Sequence, residues 1–238
     1  MSDTPTGFAA DVHLPIYSWP VSAVPGQLTL ALIPNTTTVT SPFTGALQSE
    51  PMPGTCWRFD ASFASLSVDQ AREVRAMVAQ MRGMSGRFYF PAEPGKGTIT
   101  PQPSADNLAG FVETGPRVAG TAGGLLQTTG WSQAEGELVC RAGDYISVDD
   151  ALGWRHLFML LEDAVAGADG TAELVVVPEL AGVDLPAGAA LHHGGNASGV
   201  FYLTDDSQGA IAEAPGGDYS CSLSAIEFRY AAVLRRTA

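Results

Sequence analysis

The sequence predicts a mainly β protein: a β-sandwich carrying one amphipathic α-helix at about residues 67–82, plus an inserted small all-β barrel or sandwich domain. Three observations predict it. The 238 residues include 27 Gly and 16 Pro, too many chain breakers for a helical bundle. Between those breakers, short runs alternate apolar and polar residues, the period of half-buried strands. One segment alone, beginning at Ser67, has a clear helical period.

Taken in order, Pro15, Pro20, Pro25 and Pro34 punctuate the first forty residues. Residues 1–25 are expected to form an arm that lies along something else. QLTLALI (Gln27 to Ile33) and TTTVT (Thr36 to Thr40) read as β-rich pieces. In CWRFDASFASL, Trp57, Phe59, Ala61 and Phe63 point one way and Arg58, Asp60 and Ser62 the other, as in a strand with one buried face. Ser67-Val68-Asp69-Gln70 then fits the capping box that opens a helix. Ala71, Val74, Met77, Val78 and Met81 form its apolar stripe, expected to cover the sheet begun by Trp57. Arg72, Arg75 and Arg82 stay on the wet side, free for a neighbouring subunit. Gly83 is placed to end the helix in the left-handed conformation. GRFYFPAEP follows as a strand that Pro91 and Pro94 stop.

From Lys96 to Gly130 the sequence is loose and rich in Gly and Thr, with a strand only around Gly124 to Thr128. Strands return in GELVCRAGDYISVD and in WRHLFMLLEDAVAGADGTAELVVVPEL. Ala168-Asp169-Gly170-Thr171 in the latter is a hairpin signal between two apolar runs. LHHGGNASGVFYLTDD supplies another strand. DYSCSLSAIEFRYAAVLRR ends the chain as one long strand or a bent pair, with Cys221, Leu223 and Ala225 on one face. No internal repeat of fixed period occurs. The predicted organisation is therefore an arm at 1–25, a sandwich domain with the helix from 26–96 and 192–238, and an inserted all-β domain at 97–191.

Charge supports that division. Twelve basic residues face 25 acidic ones, a net charge of −13. Between Thr98 and Leu191 there are 13 acidic residues and 3 basic ones, while Arg58, Arg72, Arg75, Arg82, Arg87 and Lys96 hold half of the basic charge. Such a balance argues against a nucleic-acid-binding surface. Cys56, Cys140 and Cys221 are odd in number and far apart, which predicts buried free thiols rather than disulfides or a zinc site. No signal-peptide pattern or membrane-span-length apolar stretch appears, so the expectation is a soluble protein made in the cytoplasm, without membrane insertion.

Candidate chemistry is sparse. His192-His193 with Asp205-Asp206 could suggest a metal, but adjacent strand residues face opposite ways. Glu162-Asp163 read as a solvated strand end, not as a glycosidase pair. Asp169 and Glu173 fall short of a calcium loop. Ser85 in GMSGR lacks the nucleophile-elbow spacing, and nothing marks a His partner for Cys140. GTAGG and APGGD match no phosphate-binding glycine pattern. Asn196-Ala197-Ser198 is a glycosylation sequon by chance. Trp19, Trp57, Trp131 and Trp154 read first as core or interface anchors; Trp131 and Trp154 are the candidates for stacking on a glycan. No catalytic residue, metal ligand or cofactor site is expected.

The segment SPFTGALQSEPMPGTCWRFDASFASLSVDQAREVRAMVAQMRGMSGRFYF resembles the opening domain of distal tail or tail-tip hub proteins of long-tailed bacteriophages and prophages. There an SPFTG segment leads through PG and W into a strand, an Ala- and Arg-rich helix, and a second strand. AGDYISVDDALGWRHLFMLLEDAVAGADGTAELVVVPEL is similar to the family's middle segment. The resemblance spans roughly Ser41 to Leu180; the first 25 residues and LHHGGNASGVFYLTDDSQGAI depart from it. It implies a structural virion protein of the tail, assembled in the bacterial host cytoplasm. The implied assembly is a cyclic homo-oligomer, a hexamer in the family, which joins the tail tube protein to the tail-tip hub protein. Two other functions remain open from the residues alone: a host-surface carbohydrate-binding tail module using Trp131 or Trp154, and a tail-associated cell-wall hydrolase. The acidic middle could line part of a ring's lumen or project outward and keep the particle soluble.

Overall fold

The computed structural model describes residues 16–52, 54–94, 124–131, 133–150, 153–168, 170–179, 185, 189, 191–214 and 218–229. In chain order the first strands are β1 (Ile16–Ser18), β2 (Gln27–Ile33), β3 (Thr36–Thr40), β4 (Leu47–Pro51) and β5 (Cys56–Leu66). The helix α1 (Val68–Met81) and β6 (Arg87–Pro91) follow. Then come β7 (Gly124–Thr128), β8 (Leu138–Cys140), β9 (Tyr145–Asp149), β10 (Arg155–Leu160), β11 (Ala164–Val165) and β12 (Ala172–Val177). The last are β13 (Leu191–His193), β14 (Ser198–Leu203), β15 (Ala212–Glu213) and β16 (Tyr219–Glu227). The fold is mainly β with one α-helix among the described residues, as its sequence predicts.

A seven-stranded sheet has the order β1-β6-β14-β16-β5-β2, with β15 added on β16. A five-stranded sheet has the order β13-β9-β10-β12-β7. Two small ladders, β8 with β11 and β3 with β4, stand outside them. Each large sheet has its own core. Trp57, Phe59, Phe63, Phe88, Phe90 and Phe201 are buried in the first together with the inner side of α1. Phe59 stacks on Phe90 with ring centroids 4.2 Å apart, and Phe201 meets Phe59 edge-on at 4.9 Å. Each such ring contributes about 1.5–3 kcal/mol by leaving water. Leu126, Val139, Ile146, Phe158, Leu160, Leu174 and Val176 fill the second, between the five-stranded sheet and β8–β11.

Strand β5 follows its alternation as far as Phe63, and then Leu66 is buried instead of Ser65. A bulge explains the change of phase: β16 pairs Cys221 with Phe63 but Tyr219 with Leu66, and Ser65 takes φ 55°. One extra residue on β5 turns Leu66 back to the core. The helix begins at once with the predicted capping box: Gln70 N donates to Ser67 Oγ and Ser67 N donates to Gln70 Oε1. Ala71, Val74, Met77 and Met81 are buried, and Val78 is half-buried against the same core. The end of the helix differs from expectation. Arg82 itself adopts the left-handed conformation, φ 52°, followed by Gly83 at φ 70°. Gly83 is required for a second reason, because a Cβ there would lie 2.2 Å from Asp206 Oδ1, the oxygen that accepts from Met84 N.

Part of the predicted arm is built into the protein. Strand β1 pairs in parallel with β6, and Trp19 is buried against Phe63, its indole donating to the Ala23 carbonyl. Gln70 of the helix donates to Ser22 O, and Ser22 Oγ donates to Glu73. Residues 16–25 thus lie on their own sheet and helix; residues 1–15 fall outside the described residues. The Asp-Gly turn is also less simple than its signal. Asp169 is outside the described residues; Gly167 N donates to Thr171 O across the turn. The strand before it, β11, pairs with β8 rather than with β12. The bonds of β12 are made with β10 and β7.

The sheets are clamped together by one carboxylate. Glu227, at the end of β16, is 3% exposed. Its oxygens accept from Trp57 N (3.2 Å) on β5, from Leu157 N (3.1 Å) on β10, and from Arg229 Nε (3.0 Å). Trp57 Nε1 donates back to Leu157 O at 3.0 Å. Strand β10 pairs with β9 along Arg155–Met159, but with β12 only from Met159 onward. Leu157 would otherwise leave backbone groups unmet on that open side, and side chains of the other sheet satisfy them.

Two outcomes are expected in urea denaturation followed by circular dichroism. Val74→Asp, which buries an unpaired charge at a fully buried helix position, abolishes the cooperative transition. Glu227→Ala leaves two amides and a guanidinium without their acceptor and costs about 3–5 kcal/mol; Glu227→Gln, which keeps one acceptor oxygen, costs less.

Candidate functional site

Strands β3 and β4 continue the β2–β5 hairpin beyond the body of the sheet. The ladder runs from Gln27↔Ser62 to Ile33↔Cys56 and resumes at Thr36↔Pro51. Two residues, 34 and 35, link the strands on one side and four, 52–55, on the other, so the pairing is interrupted at the root. Met52 N donates to Asn35 O there, at 2.7 Å. Among the described residues β3 and β4 pair only with each other, and all ten of their residues are exposed. The tip is Ser41-Pro42-Phe43-Thr44-Gly45-Ala46. Gly45 N donates to Ser41 O, Thr44 N to Ser41 Oγ and Ser41 N to Ala46 O. This closed turn holds Phe43 out at 95% exposure, with Val39 at 63% and Leu47 at 68% behind it. An isolated two-stranded hairpin is marginal in water, and this one presents apolar side chains with nothing of the described chain covering them.

Of the arginines predicted for an interface, Arg72 and Arg75 lie on the exposed side of α1 and Arg82 follows its last residue. Arg72 Nη1 reaches Asp69 Oδ1 at 3.2 Å, a solvated i,i+3 pair worth a few tenths of a kcal/mol, of order ~0.3. Arg75 and Arg82 are exposed. The tryptophans predicted for a glycan do not form a platform. Trp131 is buried in the second core, its Nε1 donating to Thr128 Oγ1 at 2.7 Å, so it offers no face to a sugar. Trp154 is half-buried, with its ring 5.0 Å from that of Phe228.

The other polar candidates are drawn into structural roles. His192 and Asp149 meet, at 3.4 Å, while His193 is buried and Asp205 caps Ser207. Asp163 accepts from Ala142 N, and Ser85 Oγ donates to the carbonyls of Met81 and Arg82. No group of three His, Cys, Asp or Glu converges on a point among the described residues. All three cysteines are free thiols. Burial pushes Cys140 up to about 12 and Cys221 up to about 11, which keeps both protonated and unreactive.

One polar cluster joins the two sheets. Arg155 on β10 binds Asp149 on β9 through Nε (2.7 Å) and Nη2 (3.1 Å), and Nη1 donates to Ser198 Oγ on β14. Its guanidinium lies 5.2 Å from the centre of the Tyr89 ring on β6. Burial alone would raise the Asp149 carboxyl. Hydrogen bonds from His192 and Arg155, with the Arg155 charge, reverse that and hold it well below the usual carboxylate range. Beside it, His156 is buried with Nε2 3.0 Å from Asp150 Oδ2.

No protein-family model and no curated protein matches the chain.

The Asp149 geometry has a measurable pH signature. Its folded pKa lies below its unfolded one, so the stabilisation is present above the ordinary carboxylate range and is lost as pH falls through the folded value. Asp149→Asn is expected to cost about 1–2 kcal/mol at neutral pH, moderated because the Asp149 side chain is 35% exposed. The gap between variant and parent, read by urea denaturation at a series of pH values, closes only well below the ordinary carboxylate range.

Proposed function

We propose that this chain is a self-assembling structural subunit of the distal tail of a long-tailed bacteriophage. In this reading it forms a cyclic ring between the tail tube protein and the tail-tip hub protein. The observation that carries the reading is the β3–β4 hairpin. Its tip, Ser41 to Ala46, begins with the SPFTG segment that heads the resemblance to distal tail proteins, and it extends apolar side chains away from the body. A hairpin of this kind gains its stability from a neighbour, because the entropy of ordering it exceeds what ten exposed residues return. Copies that contact one another through different surfaces on their two sides close into a ring. Exposed apolar residues at the tip favour this over a glycan-binding module, for which Trp131 is already committed to the core.

The test uses the full-length protein in sedimentation velocity and negative-stain microscopy. The parent is expected to assemble with rising concentration into closed rings, six-membered if it follows the family. Phe43→Ser combined with Leu47→Ser removes two apolar anchors, each worth about 1.5–3 kcal/mol if fully buried, and weakens assembly at least about 100-fold. The melting temperature of the subunit stays unchanged. A parent that remains monomeric at about 100 μM, roughly 70-fold above the Kd of a weak contact of ~8 kcal/mol, would overturn the reading.

A further inference from the structure

The outermost strand of the seven-stranded sheet and the hairpin beyond it form one open edge. Strand β2 ends the sheet order, and the chain passes through Pro34 and Asn35 directly into β3. Among the described residues no strand pairs with the outer side of either. Residues 27–40, QLTLALIPNTTTVT, contain no charged residue at all. Open strand edges recruit other strands, and natural proteins guard them with Lys, other charges, Pro or very short length. The opposite edge of the same sheet and the other side of the hairpin are guarded. Strand β1 has three residues, with Pro15 before it and Pro20 after; β4 carries Glu50 and Pro51. Along β2 and β3 only Pro34 intervenes, at the root where the ladder is already interrupted.

We infer that the β2–β3 edge is the seam at which a second copy of this chain adds a strand by main-chain hydrogen bonding. Charge selects that occupant. Two copies each carrying −13 repel wherever their acidic surfaces meet, and a basic partner would be drawn to those acids. A neutral edge is where a partner of the same negative charge can approach within hydrogen-bonding distance. The seam rests on the self-assembly reading and sharpens it, because it replaces the arginine face of α1 as the surface that closes the ring. The hairpin tip and the edge are different contacts of the same neighbour: Phe43 supplies an apolar anchor and the edge supplies direction and register.

The experiment combines hydrogen exchange with sedimentation velocity on the full-length protein and on Thr29→Lys/Thr37→Lys. Both threonines are exposed, and they lie opposite Asp60 and Glu50. Each new lysine therefore has a partner within its own chain while placing a charge on the edge. The parent is expected to assemble with concentration, and backbone amides within 27–40 exchange at least about 10-fold more slowly in the assembled form than in the dilute monomer. The lysine variant keeps its melting temperature, stays monomeric and shows no such slowing. Assembly of the variant as readily as the parent, without protection of 27–40, overturns the seam and leaves self-assembly standing. A parent that is monomeric at every concentration overturns both. Should the variant fail to melt cooperatively, exchange in the parent decides alone: protection of 27–40 on assembly supports the seam, and its absence overturns it.

Discussion

The fold depends on a buried carboxylate that stands in for a missing strand. On the side of Leu157 away from β9, the amide is met by Glu227 and the carbonyl by the Trp57 indole. A carboxylate at this depth is tolerable because both of its oxygens accept hydrogen bonds, from two amides and from the Arg229 guanidinium that balances its charge. Arg229 is held in turn by the Glu179 carbonyl and lies over the Phe158 ring. The clamp thus draws on β5 and β16 of one sheet, β10 of the other, and the residues after β12. It is a directional joint, whereas the apolar contact beside it, Trp57 edge-on to Tyr145 at 5.5 Å, sets distance without setting register.

Strand β5 is where the separate parts of the molecule meet. Its first turn of residues carries Trp57 into the clamp, its middle carries Phe59 into the aromatic core, and its bulged end delivers Leu66 and Ser67 to the helix start. Its N-terminal side is continuous with the hairpin. The direction in which β3–β4 leaves the body is therefore fixed by the same register that places Trp57, since β2 is paired to β5 over seven consecutive residues. The hairpin is free of tertiary support among the described residues and yet rooted in the most constrained strand of the chain. Such a combination transmits a load from the tip into the sheet.

How much of this the sequence showed depends on whether the cue was local. The helix was legible because the capping box and the apolar stripe are written within fifteen residues of each other, and so was the alternating half of β5. The clamp was half legible. Extending the alternation of Cys221, Leu223 and Ala225 by one step puts Glu227 on the inward face, but its partners are 170 and 70 residues away in sequence. The bulge at Ser65 was not legible, because the phase change arises from pairing with β16. Strand β4 was missed as LQSEP has Glu and Pro where a strand is expected to be β-branched or aromatic; SPFTG between it and TTTVT was the turn signal that could have revealed the hairpin. Trp131 reads first as a core or interface anchor, and it is buried; what the sequence hides is its neighbour Gly170, where a Cβ would lie 2.7 Å from the Trp131 carbonyl oxygen.

The charge distribution bears on how two copies of this chain would meet at the proposed seam. Thirteen of the 25 acids fall between Thr98 and Leu191, away in sequence from residues 27–40. At physiological ionic strength repulsion between exposed charges decays over roughly 8 Å, so acids farther than this from the uncharged residues 27–40 oppose random collisions of whole molecules but weigh little on that edge. The body of the first sheet presents Arg58 paired with Asp60 on its exposed side, a pair that is neutral in sum. At the proposed seam, an approach that aligns strand with strand along the uncharged edge of β2 meets less repulsion than one that brings acidic surfaces together. Net negative charge in this chain acts less as a barrier to contact than as a filter on its geometry.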